Sequence, residues 1–569
     1  MTTVWIAKVR AARTRLLAGL AALVVLAGAN VHAQAPVAPV ATNEGRPAQT
    51  TEGPRFDILA FNVTGNTLLS AGEIEAAVYP FLGPQRTLAD AEGARRALER
   101  VYQARGWLSV VVTLPPQAVT DAELTLEITE ARVTGQRVTG ARYHRPSLIA
   151  EAVPALAKGQ VPDFEDVQAQ LGAIQSAEDL RVNPVITSGA TPRDLNVELQ
   201  VQDSLPLHGS VEINSKQSWN TERGRLEAGV RYDNLFQRSH SLGLNAVLSP
   251  TQMDQGSTWV LSYSAPAGPG GARWSASYAR SRSTTPTSIG GATVVQGHAL
   301  GTRWRAPLQA TGARIAHAAS LGLDFKDNRD ASRASDGSLE PNAGLRYPAL
   351  SLGWDASVQH EGGAFTQWDA GVVLGFSGPG GRSVDCNGRT LDQFACKRSG
   401  ATPDFQVFKL SASHRRVLTG AWELTLRGQL QLAPHPLVSG EQFGAGGQDS
   451  VRGYHEYEQV GDQGLLLRAE LATPALATLW SQPLTAVLFA EGAALRLNEP
   501  LPGEVADVRM ASAGAGLRWA RPGGLALRLD VALPLRDTVK ADSNGNLVSA
   551  SGRASRNDLR LDLSVRHSF

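Results

Sequence analysis

Leu559-Arg560-Leu561-Asp562-Leu563-Ser564-Val565-Arg566-His567-Ser568-Phe569 decides how this chain is read. Leu559, Leu561, Leu563, Val565 and Phe569 fall on one side of an extended backbone. Arg560, Asp562, Ser564, Arg566 and Ser568 fall on the other. A strict two-residue period predicts a strand. Aliphatics on one face and charges on the opposite face suit a strand placed between lipid and a wet lumen. Working back, Leu525 to Leu533 sets leucines and Val531 against Ala526, Arg528, Asp530 and Ala532. Arg225 to Tyr232 sets Leu226, Ala228, Val230 and Tyr232 against Arg225, Glu227 and Arg231.

From Leu207 onward such segments recur, separated by Gly, Pro, Asp and Asn clusters. Strands are expected near 207–216, 223–234, 239–249, 257–265, 271–281, 292–305, 314–326, 347–359, 364–377, 403–415, 421–433, 464–473, 484–495, 508–520, 523–533 and 559–569. These make an even set of sixteen, as a closed single-chain bacterial barrel usually has. The long connections are expected at 327–346, 378–402, 434–463 and 534–558, all after odd-numbered strands. Long loops on one side and tight turns on the other fit a barrel crossing an outer membrane. With a periplasmic N-terminus, the long loops face outward.

The N-terminus reads as an address. Lys8, Arg10, Arg13 and Arg15 precede an uncharged apolar run from Leu16 to Ala29, and Val31-His32-Ala33 supplies small residues for cleavage. This is the three-part pattern of a secretory signal peptide, so 1–33 is expected to be removed and 34–54, rich in Ala, Pro and Thr, to be a linker. Two small modules follow, at 55–131 and 132–204. In the first, Phe56 to Val63 reads as a strand, Ser70 and Glu73 form a capping box, and Thr87 to Arg105 is helical. Strands follow at Leu108–Leu114 and Glu123–Thr129. Residues 132–204 repeat the order strand, helix, helix, strand, strand, with Asp163 capping the second helix. Free sheet edges permit peptide recognition by strand addition. A plain spacer has the same pattern. The fold class is therefore α+β modules followed by an all-β 16-stranded transmembrane barrel over 205–569.

The composition excludes other classes. Lys and Arg number 54 against 53 Asp and Glu, a balance that argues against a nucleic-acid binder held mainly by phosphate contacts. The sequence has no Gly-rich phosphate loop ending in Lys-Ser or Lys-Thr, no His-Glu-x-x-His and no Gly-x-Ser-x-Gly. His414, His435 and His455 have no ligand spacing. No enzyme activity, metal or cofactor is expected. The two cysteines, Cys386 and Cys396, lie in one external loop, where an oxidising compartment favours a small disulfide ring.

The connection 434–463 stands apart. It holds Gly440, Gly444, Gly446, Gly447 and Gly453 around Val451-Arg452-Gly453-Tyr454. Glycine permits positive φ and close approach, so such a loop can fold inward. An arginine inside the lumen then needs a carboxylate. Glu491 and Asp530, on the thirteenth and fifteenth strands, are candidates. An exposed loop arginine has the same spacing.

Val451-Arg452-Gly453-Tyr454 resembles the sixth-loop signature of two-partner secretion transporters, the haemolysin and filamentous-haemagglutinin secretion family of the POTRA-plus-barrel superfamily. Arg105-Gly106-Trp107, Leu114-Pro115-Pro116-Gln117 and Leu124-Thr125-Leu126-Glu127-Ile128 resemble the end of that family's first POTRA domain. Asp233-Asn234-Leu235-Phe236 resembles a segment of its first barrel hairpin, and Leu527 to Pro534 its penultimate strand. Phe569 resembles the signal read by the barrel-assembly machinery. The resemblance covers roughly residues 56 to 569.

The resemblance implies an outer-membrane pore in a Gram-negative bacterium, with periplasmic POTRA domains that bind one large exoprotein. That partner threads through the barrel unfolded. It also implies that Arg452 pairs with an acidic residue of a Phe-x-Asp-x-Gly motif, which corresponds here to Phe489-Ala490-Glu491-Gly492-Ala493, with Glu in place of Asp. The expected partners are the exoprotein, outer-membrane lipid and, during biogenesis, the barrel-assembly machinery. The alternative reading is a barrel-assembly factor. A passive porin or adhesin is a third.

Overall fold

A computed structural model describes residues 54–569 except 176–178, 220, 254–255, 269, 287–291, 309–313, 334–338, 342–343, 379–382, 387, 543–545 and 551. The expected signal peptide and nearly all of the expected linker lie outside the described residues.

The first module runs β1 (Phe56–Ile58), β2 (Ala60–Thr64), α1 (Ala71–Val78), β3 (Gly83–Arg86), α2 (Leu88–Ala104), β4 (Val110–Thr113) and β5 (Glu123–Glu130). Each helix starts on a capping box, Ser70 with Glu73 and Thr87 with Asp90. The single strand expected over Phe56 to Val63 is two. β1 pairs antiparallel with β3, whereas β2 pairs parallel with β5. The break falls at Leu59, whose backbone N–H bonds the carbonyl of Ala122 instead of continuing the first ladder. The main sheet has the order β2-β5-β4. Its alternate residues Leu126, Ile128, Val110 and Val112 meet Leu98 and Tyr102 of α2 in a buried core.

The second module repeats this with β6 (Arg132–Thr139), α3 (Pro146–Glu151), α4 (Phe164–Ile174), β7 (Leu180–Ser188) and β8 (Asp194–Asp203). Its sheet order, β6-β8-β7, has the same parallel and antiparallel pairings. Asp163 accepts from the backbone of Glu165 and Asp166 and so caps α4. Val161 lies in the first module's core, and the Phe164 N–H bonds the Gly106 carbonyl, so the two modules pack directly.

Sixteen antiparallel strands close a barrel. They are β9 (Leu207–Asn214), β10 (Arg225–Leu235), β11 (His240–Leu248), β12 (Gly256–Pro266), β13 (Arg273–Pro286), β14 (Ala292–Leu308), β15 (Ile315–Arg333) and β16 (Leu345–Gln359). The ring continues with β17 (Phe365–Gly375), β18 (Gln406–Val417), β19 (Glu423–Leu432), β20 (Gln463–Ala472), β21 (Gln482–Arg496), β22 (Asp507–Ala520), β23 (Leu525–Pro534) and β24 (Arg560–Ser568). β24 pairs back onto β9, from Ser564 opposite Asn214 to Ser568 opposite Ser210. Beyond that register Phe569 and Gly209 exchange backbone hydrogen bonds, both 2.9 Å.

The strand alternation follows the chemistry read from the sequence. Leu559, Leu561 and Leu563 are exposed on the outside, while Asp562 is buried on the inside. Three of the four long loops stand where expected, after β17, β19 and β23. The fourth, after β15, is short, because β15 continues to Arg333. Beyond Lys326 the sequence Asp327-Asn328-Arg329-Asp330 is polar at every position and carries no two-residue signal.

Candidate functional site

The connection between β19 and β20 enters the barrel. Gly446 has φ 109° and its missing Cβ would lie 2.5 Å from the His455 carbonyl oxygen, so only glycine fits this bend. Val451-Arg452-Gly453-Tyr454 forms its tip, and every one of the four is buried. Val451 packs with Ala445, Leu466, Ala493, Leu495 and Met510. Gly453 has φ 90°, with Pro534 3.0 Å from where a Cβ would stand. The Tyr454 hydroxyl donates to the Arg536 carbonyl at 2.8 Å and lies 3.0 Å from that of Ala511. Shape and backbone bonding therefore seat the loop on β20 to β23, and the arginine supplies the charge.

Arg452 is fully buried. Its Nε and Nη2 both donate to Glu491 Oε1, at 2.9 and 2.6 Å, and its backbone N–H donates to Glu491 Oε2 at 2.7 Å. Nη2 also reaches Glu470 Oε1 at 2.6 Å. Nη1 faces Asp530 Oδ2 at 3.4 Å, a charge contact longer than a hydrogen bond. The guanidinium lies 3.4 Å from the Phe489 ring centroid, near enough for a cation–π contact. The structure thus brings both expected carboxylates to Arg452, with Glu491 holding the hydrogen bonds and Asp530 a longer contact.

Several participants were not expected. Arg468 donates to Glu491 at 2.9 Å, while Arg518 and Arg528 each pair with Asp530 at 2.7 Å. Glu470 completes the set. These charges alternate with apolar residues along their strands and so share the inward face. Arg468 and Glu470 flank Ala469 on β20, and Arg528 and Asp530 flank Leu529 on β23. That alternation was the available signal, but cross-strand register decides who meets whom. Arg468 stands opposite Glu491 across β20 and β21. The loop is also tied to the other side of the seam. Asp449 bridges Lys216 at 2.9 Å and Arg528 at 3.0 Å. The chemistry here is electrostatic positioning of a loop, with buried charges satisfied by opposite charges.

In the connection between β17 and β18, Cys386 and Cys396 are joined, with Cα atoms 5.8 Å apart. The short helix Gln393–Lys397 in that loop places Phe394 against Tyr347 and Phe405. Arg398, just after it, makes a two-pronged contact with the buried Asp462, at 2.6 and 2.8 Å. Phe569 sits with its ring over Gly209, where a Cβ would come 2.2 Å from the ring. Asp203, at the end of β8, accepts from the backbone N–H groups of Arg142, Tyr143 and His144, the second at 2.7 Å. Burial pushes this carboxyl up, and those N–H bonds outweigh it and hold the pKa below the usual range. The same turn is held from the barrel side, where the Gln237 amide donates to the Tyr143 carbonyl at 2.9 Å and accepts from the Arg145 N–H at 3.0 Å.

Two α/β modules of one topology, followed by a closed barrel whose lumen binds its own loop through a buried arginine, define a POTRA-plus-barrel protein. Residues 194–518 match the family described as haemolysin secretion/activation protein ShlB/FhaC/HecB, and residues 56–131 match the POTRA domain, ShlB-type. The chain belongs to the haemolysin secretion/activation family. It is similar to the outer membrane transporter CdiB of Dickeya dadantii strain 3937, 24% identical over 453 residues, covering 76% of this chain and 74% of the relative. It is likewise similar to the outer membrane transporter CdiB of Escherichia coli, 25% identical over 478 residues, covering 82% and 77%. The solved structure of CdiB from Escherichia coli superposes with a TM-score of 0.66 at 21% identity, covering 93% of each chain.

Proposed function

We propose that this chain is a two-partner secretion pore that recognises one large exoprotein through its periplasmic POTRA domains and passes it outward without nucleotide hydrolysis. The barrel lies in the outer membrane, with the POTRA domains on the periplasmic side. The observation that carries the reading is Arg452, buried in the lumen of a secretion-family barrel and held by Glu491 and Glu470. A loop fixed by charge inside the passage must be displaced or rearranged for a polypeptide to pass. Electrostatic contacts allow this, because water entering the lumen can replace them. The sequence carries no phosphate-binding loop. Folding of the exported partner outside supplies the direction of transport in this reading. The free edge strands β2, β4, β6 and β7 can take an extended segment of the partner by strand addition.

Deletion of the gene in the source cell, followed by comparison of medium and outer-membrane fractions, tests this. The expected result is loss of one large polypeptide from the medium with the outer-membrane barrel complement unchanged. General loss of outer-membrane barrels would move the assignment to an assembly factor.

A further inference from the structure

The outer surface of β11 to β15 changes character row by row. One register row reads Leu244, Leu261, Tyr278, Leu300 and Phe325, all apolar or aromatic and all exposed. Trp274 and Trp304 pair nearer the periplasmic ends of β13 and β14, where an interfacial aromatic belt is expected. Toward the outer ends the next row reads Ala246, Trp259, Arg280 and His298, and the row after it sets Ser257 beside Arg282. Arg280 and Arg282 share the parity of Trp274 and Tyr278, so they point out of the barrel. An arginine on a lipid-facing wall is costly unless its charge is met there.

Among the described residues nothing meets it: neither guanidinium has a hydrogen bond or ion pair, and the Arg282 Nε is buried without a partner. The carboxylate across from His298, Asp327, is engaged by Arg346 at 2.8 Å. The two arginines line a cleft of about 480 Å³ together with Met253, Ser257, Trp259 and His298. Tyr278 orients His298 through a 2.7 Å contact between its hydroxyl and Nδ1.

We propose that this cleft binds the phosphate headgroup of a phosphorylated glycolipid of the outer leaflet. The Arg280 and Arg282 guanidiniums hold the phosphate, since their planar donor forks match its oxygens. Ser257 adds a hydroxyl. Trp259 and Met253 cover the sugar and the start of the acyl chains, which continue down the Leu244, Leu261 and Leu300 row. Clusters of basic side chains between transmembrane elements at headgroup level are the usual means of lipid-headgroup recognition. The proposal uses the outer-membrane placement of the barrel and is independent of what the pore exports.

The test is native mass spectrometry of the delipidated full chain titrated with bis-phosphorylated lipid A. Arg280→Gln/Arg282→Gln is the test variant, and Arg303→Gln on the lumen-facing side of β14 is the control. Heat-modifiable gel mobility verifies that each barrel is folded. The expected result is retained lipid A on the parent and on Arg303→Gln, with at least tenfold weaker retention by the double variant. Dephosphorylated lipid A is retained no better by the parent than by the double variant. Equal retention of lipid A by parent and double variant overturns the proposal. So does equal retention of the dephosphorylated lipid by the parent. Retention of inorganic phosphate alone as strongly as lipid A also overturns it, by making the cleft a free-anion site.

Discussion

Glu491 receives both the side chain and the main chain of Arg452: Oε1 takes the guanidinium at 2.6 Å, and Oε2 takes the backbone N–H at 2.7 Å. One strand carboxylate therefore fixes the position and the direction of the loop tip at once. Replacing Arg452 by alanine removes the only charge that the loop tip presents to Glu491, Glu470 and Asp530. Breaking a buried pair by deleting one partner costs about 3–5 kcal/mol. The expected outcome for Arg452→Ala is normal membrane insertion, judged by heat-modifiable mobility, with secretion abolished. Normal secretion by that variant would remove the loop from the mechanism.

The pairing is also testable as a coupling. Glu491→Gln keeps an acceptor for the Arg452 backbone N–H and loses the charge. A double-mutant cycle of Arg452→Ala and Glu491→Gln, read by urea titration of loop protease resistance, should give a coupling of about 1–3 kcal/mol, as for residues in direct contact. Additive effects would mean that Glu470 and Asp530 carry the loop without Glu491.

Gly453 makes a steric prediction. At φ 90° with Pro534 close by, Gly453→Ala brings both backbone strain and a clash. The expected cost is about 1–3 kcal/mol. It should appear as faster proteolysis within 446–453, while Gly172→Ala, at an ordinary helical φ and with nothing near its Cβ, leaves the loop protected.

Arg398 and Asp462 tie the disulfide loop to the base of the lumen loop. Arg398→Ala leaves Asp462 buried with its backbone donors, the Leu437 and Asn498 N–H groups, and without its cation. The expected result is protease cleavage after Lys397 in the variant and resistance in the parent, with the bond between Cys386 and Cys396 still formed on non-reducing peptide maps.

Asp203 gives a pH dependence whose sign is set by its environment. Its carboxyl is held below the usual range by three backbone N–H groups, so its contribution to stability is complete above the unfolded value of about 3.9. That contribution is lost as pH falls through the lower folded value. Protection of the Arg142, Tyr143 and His144 amides, measured as hydrogen exchange relative to the intrinsic rate, should therefore fall on acidification. In Asp203→Asn, exchange should already be fast at pH 7, with little further pH effect. Parallel profiles for the two proteins would contradict this.

The architecture was legible where one physical pattern dominates. Leu525 to Leu533 and the β24 segment alternate because one face meets lipid and the other water, and that pressure acts on every second residue. It fades where a strand leaves the membrane, which is why the sequence of the β15 extension beyond Lys326 reads as loop. The split at Leu59 was hidden because both halves of Phe56–Val63 have strand composition, and only the pairing partner changes. Within the site, Arg452 with Glu491 and Asp530 could be anticipated from a charge that needs a counter-charge. Arg468, Arg518 and Glu470 could not be assigned, because a one-residue change of register sends each to the opposite face.

The meeting of β9 and β24 also fixes an order of events. Ser564 Oγ donates to Glu212, 352 positions earlier, so the first strand must wait for the last before its edge is covered. The entropy of closing so long a loop grows only logarithmically, about 0.6 kcal/mol for each doubling. The greater hazard is therefore time spent with an open edge, which invites pairing with other chains. Substitutions that delay the arrival of β24 should lower the yield of inserted barrel while leaving the melting temperature of the finished barrel unchanged.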